Sequence, residues 1–217
     1  MDSFLEQLTV VWDEARKIWF NGSWCMPPLA LLAFITFALG INSQLRLSGK
    51  QFRAVPEPLW RRWIEVPARR EGAIGRLLDI VAGQRTIKEQ ATAFAEVRAV
   101  ELAPFTRDLR VMKVCIAAAP LIGLLGTVTG MLSTFGALAH GSGGDKTMAM
   151  VSKGISEALI TTETGLVVAL PGLFFRYHIS RRFEEYRAFL AHLETACTQH
   201  LYRRTKSKRR GNSGAAA

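Results

Sequence analysis

The chain has 217 residues, 49% of them apolar, and a formal charge of 28 − 18 = +10. That size and basicity suit a nucleic-acid binder. However, there is no zinc spacing, no aromatic RNP pattern and no basic-region heptad, and the bases are confined to certain segments between long apolar runs. Cys25, Cys115 and Cys197 lie far apart with no CxxC or Cys/His ligand spacing, so they read as small buried apolar residues rather than a disulfide framework or metal site.

Residues 1–23 carry four acids and two bases in place of a basic n-region, so no cleavable signal is expected and the first span should be retained. Phe4, Leu8, Val11, Ile18 and Trp19 can form one apolar side, with Trp12, Trp19 and Trp24 at the interface. An interfacial helix on the outer surface is expected there. Trp24 to Ile41 is uncharged and rich in Leu, Ala and Phe, giving a first span over 24–43 with Pro27 and Pro28 in the first turn, where a helix accepts them.

The segment 44–113 is too long for a simple connection. Gln44 to Pro67, with Pro56, Pro58 and Pro67, reads as an irregular link or short helix. Ile74, Leu77, Leu78 and Val81 repeat at helix spacing, as do Ile87, Ala91, Phe94 and Val97, which predicts two helices in a small lobe. Leu102 to Lys113 should run into the second span, with Pro104 a candidate kink. The second span, 114–139, is uncharged and long enough to tilt or protrude. After a short loop over 140–147 comes a third span over 148–177. Phe183, Tyr186, Leu190, Leu193 and Cys197 then recur at steps of three and four, so the third helix should extend through 178–205 as an amphipathic seam. The basic stretch 206–217 should be disordered, a solvated tail or one touching anionic lipid heads.

Charge orients these spans. Residues 1–23 carry net −2, 42–113 net +6, 140–147 net zero and 176–217 net +7. The excess of Lys and Arg puts 42–113 and the C-terminus in the cytoplasm and the N-terminus on the opposite side.

The motifs lie in the second and third spans. In PLIGLLGTVTGM, Gly123, Gly126 and Gly130 offer close helix contact, the last two as GxxxG. Thr127 and Thr129 can either back-bond to their own helix or line a hydrated path. The third span reads GISEALITTETGLVVALPGLFF, and its Glu157 and Glu163 are the most telling residues in the chain. A carboxylate in hydrocarbon costs at least about 2.5 kcal/mol, so such a group normally faces protein or a wetted path. Glu157 and Thr161 share a face, whereas Glu163 points about 240° around from Glu157. Two readings of Glu157 stay open: a structural carboxyl paired with Lys153 one turn earlier, or a part of an ion path. Gly165 suits helix packing, and Pro171 with Gly172 suits a bend. His140, His178, His192 and His200 form no ligand cluster and no Asp lies in a span, so no catalytic residue, metal or cofactor is expected and the chain is not read as an enzyme.

The blocks LIGLLGTVTGM (Leu121–Met131) and GISEALITTETGLVVALPG (Gly154–Gly172) resemble the ExbB/TolQ/MotA proton-channel family. With three spans and a long cytoplasmic loop, the chain looks like the ExbB/TolQ branch, ExbB-like in preference. The resemblance implies an all-α integral membrane protein with long cytoplasmic extensions and a small helical lobe, assembling as a ring, a pentamer, in the bacterial inner membrane. It implies an ExbD-like single-span partner and a TonB-like protein, with proton flow energising import of iron-siderophore complexes and other nutrients. It maps pore threonines onto Thr127 and Thr162 and the family glutamate onto Glu157, with the threonines expected to solvate a carboxylate on the partner. Thr161 belongs to the same path. TTETGL at Thr161–Leu166 departs from the family's usual ATAIGL, so Glu163 is an extra acid. A TolQ-like envelope subunit and a non-conducting membrane scaffold are the competing readings. Two intramembrane acids argue against the scaffold.

Overall fold

The computed structural model describes residues 24–50, 52, 55–84, 86–140 and 145–214. The expected N-terminal interfacial helix falls outside these residues. The described chain is all helical: α1 (Met26–Gly49), α2 (Glu57–Glu65), a single 3-10 turn (Pro67–Arg69), α3 (Gly72–Val81), α4 (Ile87–His140) and α5 (Asp145–Gly214). α1, α4 and α5 are long and apolar enough to cross a membrane. The chain divides into a unit of residues up to 39 with 110–176, and a unit of 40–109 with 177 onward.

Several boundaries differ from the sequence reading. α1 continues to Gly49, with Arg46 in its last turn, where a cation complements the helix dipole. Two separate lobe helices were expected; the second is instead the beginning of α4, unbroken through Pro104. Proline takes the donor from the carbonyl four residues earlier, and its ring crowds that carbonyl. Here that residue is Val100, on an exposed side open to water. α4 starts at a reciprocal cap: Thr86 Oγ1 accepts from the Glu89 amide at 3.2 Å and Glu89 Oε2 accepts from the Thr86 amide at 3.3 Å. At the far end α5 stays helical through Gly214, so the expected disordered tail is corrected over 206–214. Lys and Arg, frequent over 203–210, are good helix formers.

In the second unit the core gathers Trp60 of α2, Ile74, Leu78 and Val81 of α3, Phe94 of α4, and Leu193 and Cys197 of α5. Phe183, Tyr186 and Leu190 continue the buried stripe of α5, while Ile87 and Ala91, placed by periodicity on the apolar side of α4, are exposed. Polar ties lock this packing. Arg70 donates to the Trp63 carbonyl at 2.9 Å and to Asp79 at 2.8 Å. Arg98 pairs with Glu194, and Ser43 donates to the buried Asp108 at 3.2 Å. Burial pushes the Cys197 thiol up to about 12, against a smaller pull from Arg70. A hydrogen bond from His192, helped by the nearby charge of Arg61, holds the exposed Glu57 carboxyl below its ordinary range.

Candidate functional site: the seam of α4 and α5 and its flanks

In the membrane unit α4 and α5 run antiparallel in close contact, because small residues face each other along both. A Cβ added at Gly126 would lie 2.6 Å from Thr161 Cβ and Oγ1; at Gly130, 2.8 Å from the Gly154 carbonyl; at Gly165, 2.8 Å from the Ala119 carbonyl. A Cβ on Gly123 would meet Thr161 O and Thr162 Cα at 3.1 Å. Such approach is possible only for glycine, and in lipid it is the packing itself that holds helices together. Gly154, with Thr134 opposite, and Ala158 complete the seam. The sequence reading left these three out, although Gly154-xxx-Ala158 is itself a small-xxx-small signal. Gly172 packs on Ile116 and Thr36, and Phe37 of α1 stacks on Phe175 at 6.3 Å. α5 is helical through Pro171, which leaves the Val167 carbonyl without its usual donor.

The candidate polar residues are arranged around this seam. Thr161 is at its centre, fully buried against Gly126, with its hydroxyl turned back onto the Glu157 carbonyl. It is therefore a packing residue and cannot line a path in this conformation. Thr162 stands 100° further round α5, and Thr127 stands 100° further round α4 than Gly126. Since Thr161 and Gly126 touch in an antiparallel pair, equal turns bring Thr162 and Thr127 to the same flank. Beside Thr127 a recess of about 250 Å³ opens among Val128, Met131, Leu132 and Phe135. Glu157 lies 40° to the other side of Thr161. Its carboxylate is 28% exposed and 3.7 Å from Lys153 Nζ. Glu163 lies 200° from Thr161, exposed on the face away from the seam.

Depth follows from the same contacts. The uncharged run 114–139 of α4 has its midpoint near Gly126. Thr162 bonds to Gly123, three residues from that midpoint, and Ala158 meets Gly130, four residues beyond it. Glu163 and Glu157 thus straddle the middle of the span, each about 5 Å from it along the helix axis.

Both flank hydroxyls have committed their protons. Thr162 Oγ1 donates to the Gly123 carbonyl at 3.1 Å and Thr127 Oγ1 donates to the Leu124 carbonyl at 2.7 Å. Each retains acceptor lone pairs. They are therefore set to accept from a protonated carboxyl or a hydrated proton. Solvating a carboxylate, as the sequence reading had it, requires each first to release its carbonyl. Thr129 and Thr164 are likewise back-bonded, to Gly126 and Ile160.

Comparison with known proteins bears on these helices. Residues 76–191 match the MotA/TolQ/ExbB proton channel family. A biopolymer transport protein, ExbB-like 1, of Synechocystis sp. is 43% identical over 93 residues, 42% of this chain and 37% of that protein. An ExbB homolog of Methanothermobacter thermautotrophicus is 37% identical over 103 residues, 48% of this chain and 36% of that one. The biopolymer transport protein ExbB of Salmonella typhimurium is 36% identical over 74 residues, 34% of this chain and 30% of that one. The matched part thus spans 30–37% of these relatives' own lengths.

Proposed function

The chain belongs to the MotA/TolQ/ExbB proton channel family, on its ExbB-like side, and from that premise we propose that it is a proton-conducting motor subunit of a bacterial inner membrane. In this reading several copies, five in the ring the family resemblance implies, surround the span of an ExbD-like partner. Proton flow through the assembly drives a TonB-like protein that energises nutrient import. The N-terminus is periplasmic and the C-terminus cytoplasmic, following the Lys and Arg excess.

The observation that carries the proposal is Glu163. It is an exposed carboxylate near mid-span, on a surface that the described helices leave open. Hydrocarbon does not tolerate a charge there, so that surface faces water or other protein. Thr127 and Thr162, together on one flank, supply oxygen lone pairs for a proton passing through a hydroxyl-lined path or shuttled on a partner's carboxyl. Each elementary charge crossing yields about 2.3 kcal/mol per 100 mV, so several protons suffice to bias a helix rotation. The chemistry is hydrogen bonding and proton transfer, with no covalent step and no cofactor.

The test is proton flux. The full chain, co-purified with its ExbD-like partner, is reconstituted in liposomes holding a pH dye, and a potassium diffusion potential is imposed. Thr127→Val and Thr162→Val keep shape and lose the hydroxyl. The expected result is intact assembly with flux reduced tenfold or more for at least one of them. Wild-type flux in both variants, or no proton flux from the wild-type complex, would overturn the reading. A sodium gradient in place of the proton gradient separates the two ions.

A further inference from the structure

The second unit contains a cavity that the channel reading does not use. It has a volume of about 410 Å³ and is lined by Arg46, Lys50, Arg76 and Glu101, with Val100, Pro104 and Phe105 as its apolar wall. That volume falls in the range of small-ligand sites. Lys50 Nζ pairs with Glu101 Oε2 at 2.5 Å, and the Tyr186 hydroxyl donates to the same oxygen at 3.2 Å. The one acid is thereby neutralised inside the site. Arg46 and Arg76 make no ion pair among the described residues, which leaves the cavity with two uncompensated guanidiniums. Arginine binds phosphate oxygens in forked, charge-assisted pairs.

Its position is as informative as its charge. From Met26 to Leu45 α1 has twenty uncharged residues, about 30 Å of helix, which is one hydrocarbon thickness. Arg46 is the first charge after them, so it enters the headgroup layer. Ile41 and Leu45 stand exposed on α1 at i, i+4, and Gly49 extends that line into the cavity, where a Cβ would meet nothing within 4 Å. Val100, 74% exposed, adds an apolar surface at the mouth. An apolar track leading into a doubly positive recess fits a molecule with a hydrocarbon tail and a phosphate.

We propose that this cavity binds the phosphodiester of an anionic phospholipid, with Arg46 and Arg76 on the phosphate and an acyl chain along Leu45 and Ile41. The shared chemistry with a free phosphate is separated by the probe. The full chain in a neutral detergent is titrated with dioctanoyl phosphatidylglycerol, dioctanoyl phosphatidylcholine and inorganic phosphate, with the shift in melting temperature as readout. The expected result is at least tenfold tighter binding of phosphatidylglycerol than of the other two. An Arg46→Gln/Arg76→Gln variant should lose that preference tenfold or more, while Arg203→Gln/Arg204→Gln, of equal charge change, retains it. Both arginines are exposed, so folding is expected to survive, and circular dichroism of the variant checks this. Equal binding of the two lipids, inorganic phosphate binding as tightly as phosphatidylglycerol, or an unaffected double variant would each overturn the proposal. None of these outcomes depends on proton conduction.

Discussion

Replacing Gly126 with Ala should be among the costliest single methyl additions in the membrane unit. The new Cβ would be 2.6 Å from two atoms of Thr161, itself fully buried with no room to retreat. Ordinary carbon contacts are about 3.5–4.0 Å, so α4 and α5 must part by about 1 Å. Overpacking of this kind costs about 1–3 kcal/mol. The same movement stretches the Thr162–Gly123 bond from 3.1 Å beyond hydrogen-bonding range, which adds about 0.5–1.5 kcal/mol. The sum, about 1.5–4.5 kcal/mol, is about one to three decades in the folding equilibrium. Equilibrium unfolding in mixed micelles of increasing SDS fraction measures it. Thr161→Gly removes the opposing atoms, so the Gly126→Ala/Thr161→Gly pair should lose at least about 1 kcal/mol less than the sum of the single changes. Gly126→Ala within about 0.5 kcal/mol of wild type, or strict additivity in the double variant, would refute the close seam.

Three further outcomes concern the second unit. Cys197 is 1% exposed with its thiol raised to about 12, so a maleimide at pH 8 should leave it unmodified in the folded protein and label it once denatured. Because its folded pKa lies above the unfolded value of about 8.5, the stability it contributes is complete below that value and declines as pH rises toward 12; melting temperatures from pH 8 to 11 should fall accordingly. Tyr186→Phe keeps the ring against Phe52 and Phe105 but removes the donor to Glu101, at an expected cost of about 1.5–3 kcal/mol in the same SDS titration. An unchanged midpoint would show that this hydroxyl does not bond to Glu101.

Much of this architecture was legible because hydrophobic length and spacing dominate it. The uncharged runs locate α1 and α4, and the step of three and four from Phe183 to Cys197 locates the buried stripe of α5. Continuity was harder to read. Pro104 looks like a breaker in isolation, yet α4 tolerates it, and the cap at Thr86 and Glu89 was the available signal that one helix starts there. Glycine spacing indicated close contact but not its register. Only the structure pairs Gly126 with Thr161 and so separates that buried threonine from Thr162, one residue on. The direction in which a hydroxyl donates is set by which carbonyl happens to be adjacent, so the acceptor character of Thr127 and Thr162 has no sequence signature. The cavity at Arg46 and Arg76 joins residues thirty positions apart and carries no motif.

The claim on which the channel reading stands is that Thr162 and Glu163 meet water in the assembled complex. Single cysteines at Thr162, Glu163 and the buried Ala169, placed in a chain with Cys25, Cys115 and Cys197 changed to Ala, can be probed there with a charged, membrane-impermeant methanethiosulfonate. Such reagents modify only hydrated, ionisable thiols. Thr162→Cys and Glu163→Cys should react at least ten times faster than Ala169→Cys. Reaction of Thr162→Cys and Glu163→Cys as slow as that of Ala169→Cys would mean that both positions are dry, and the path would have to be elsewhere.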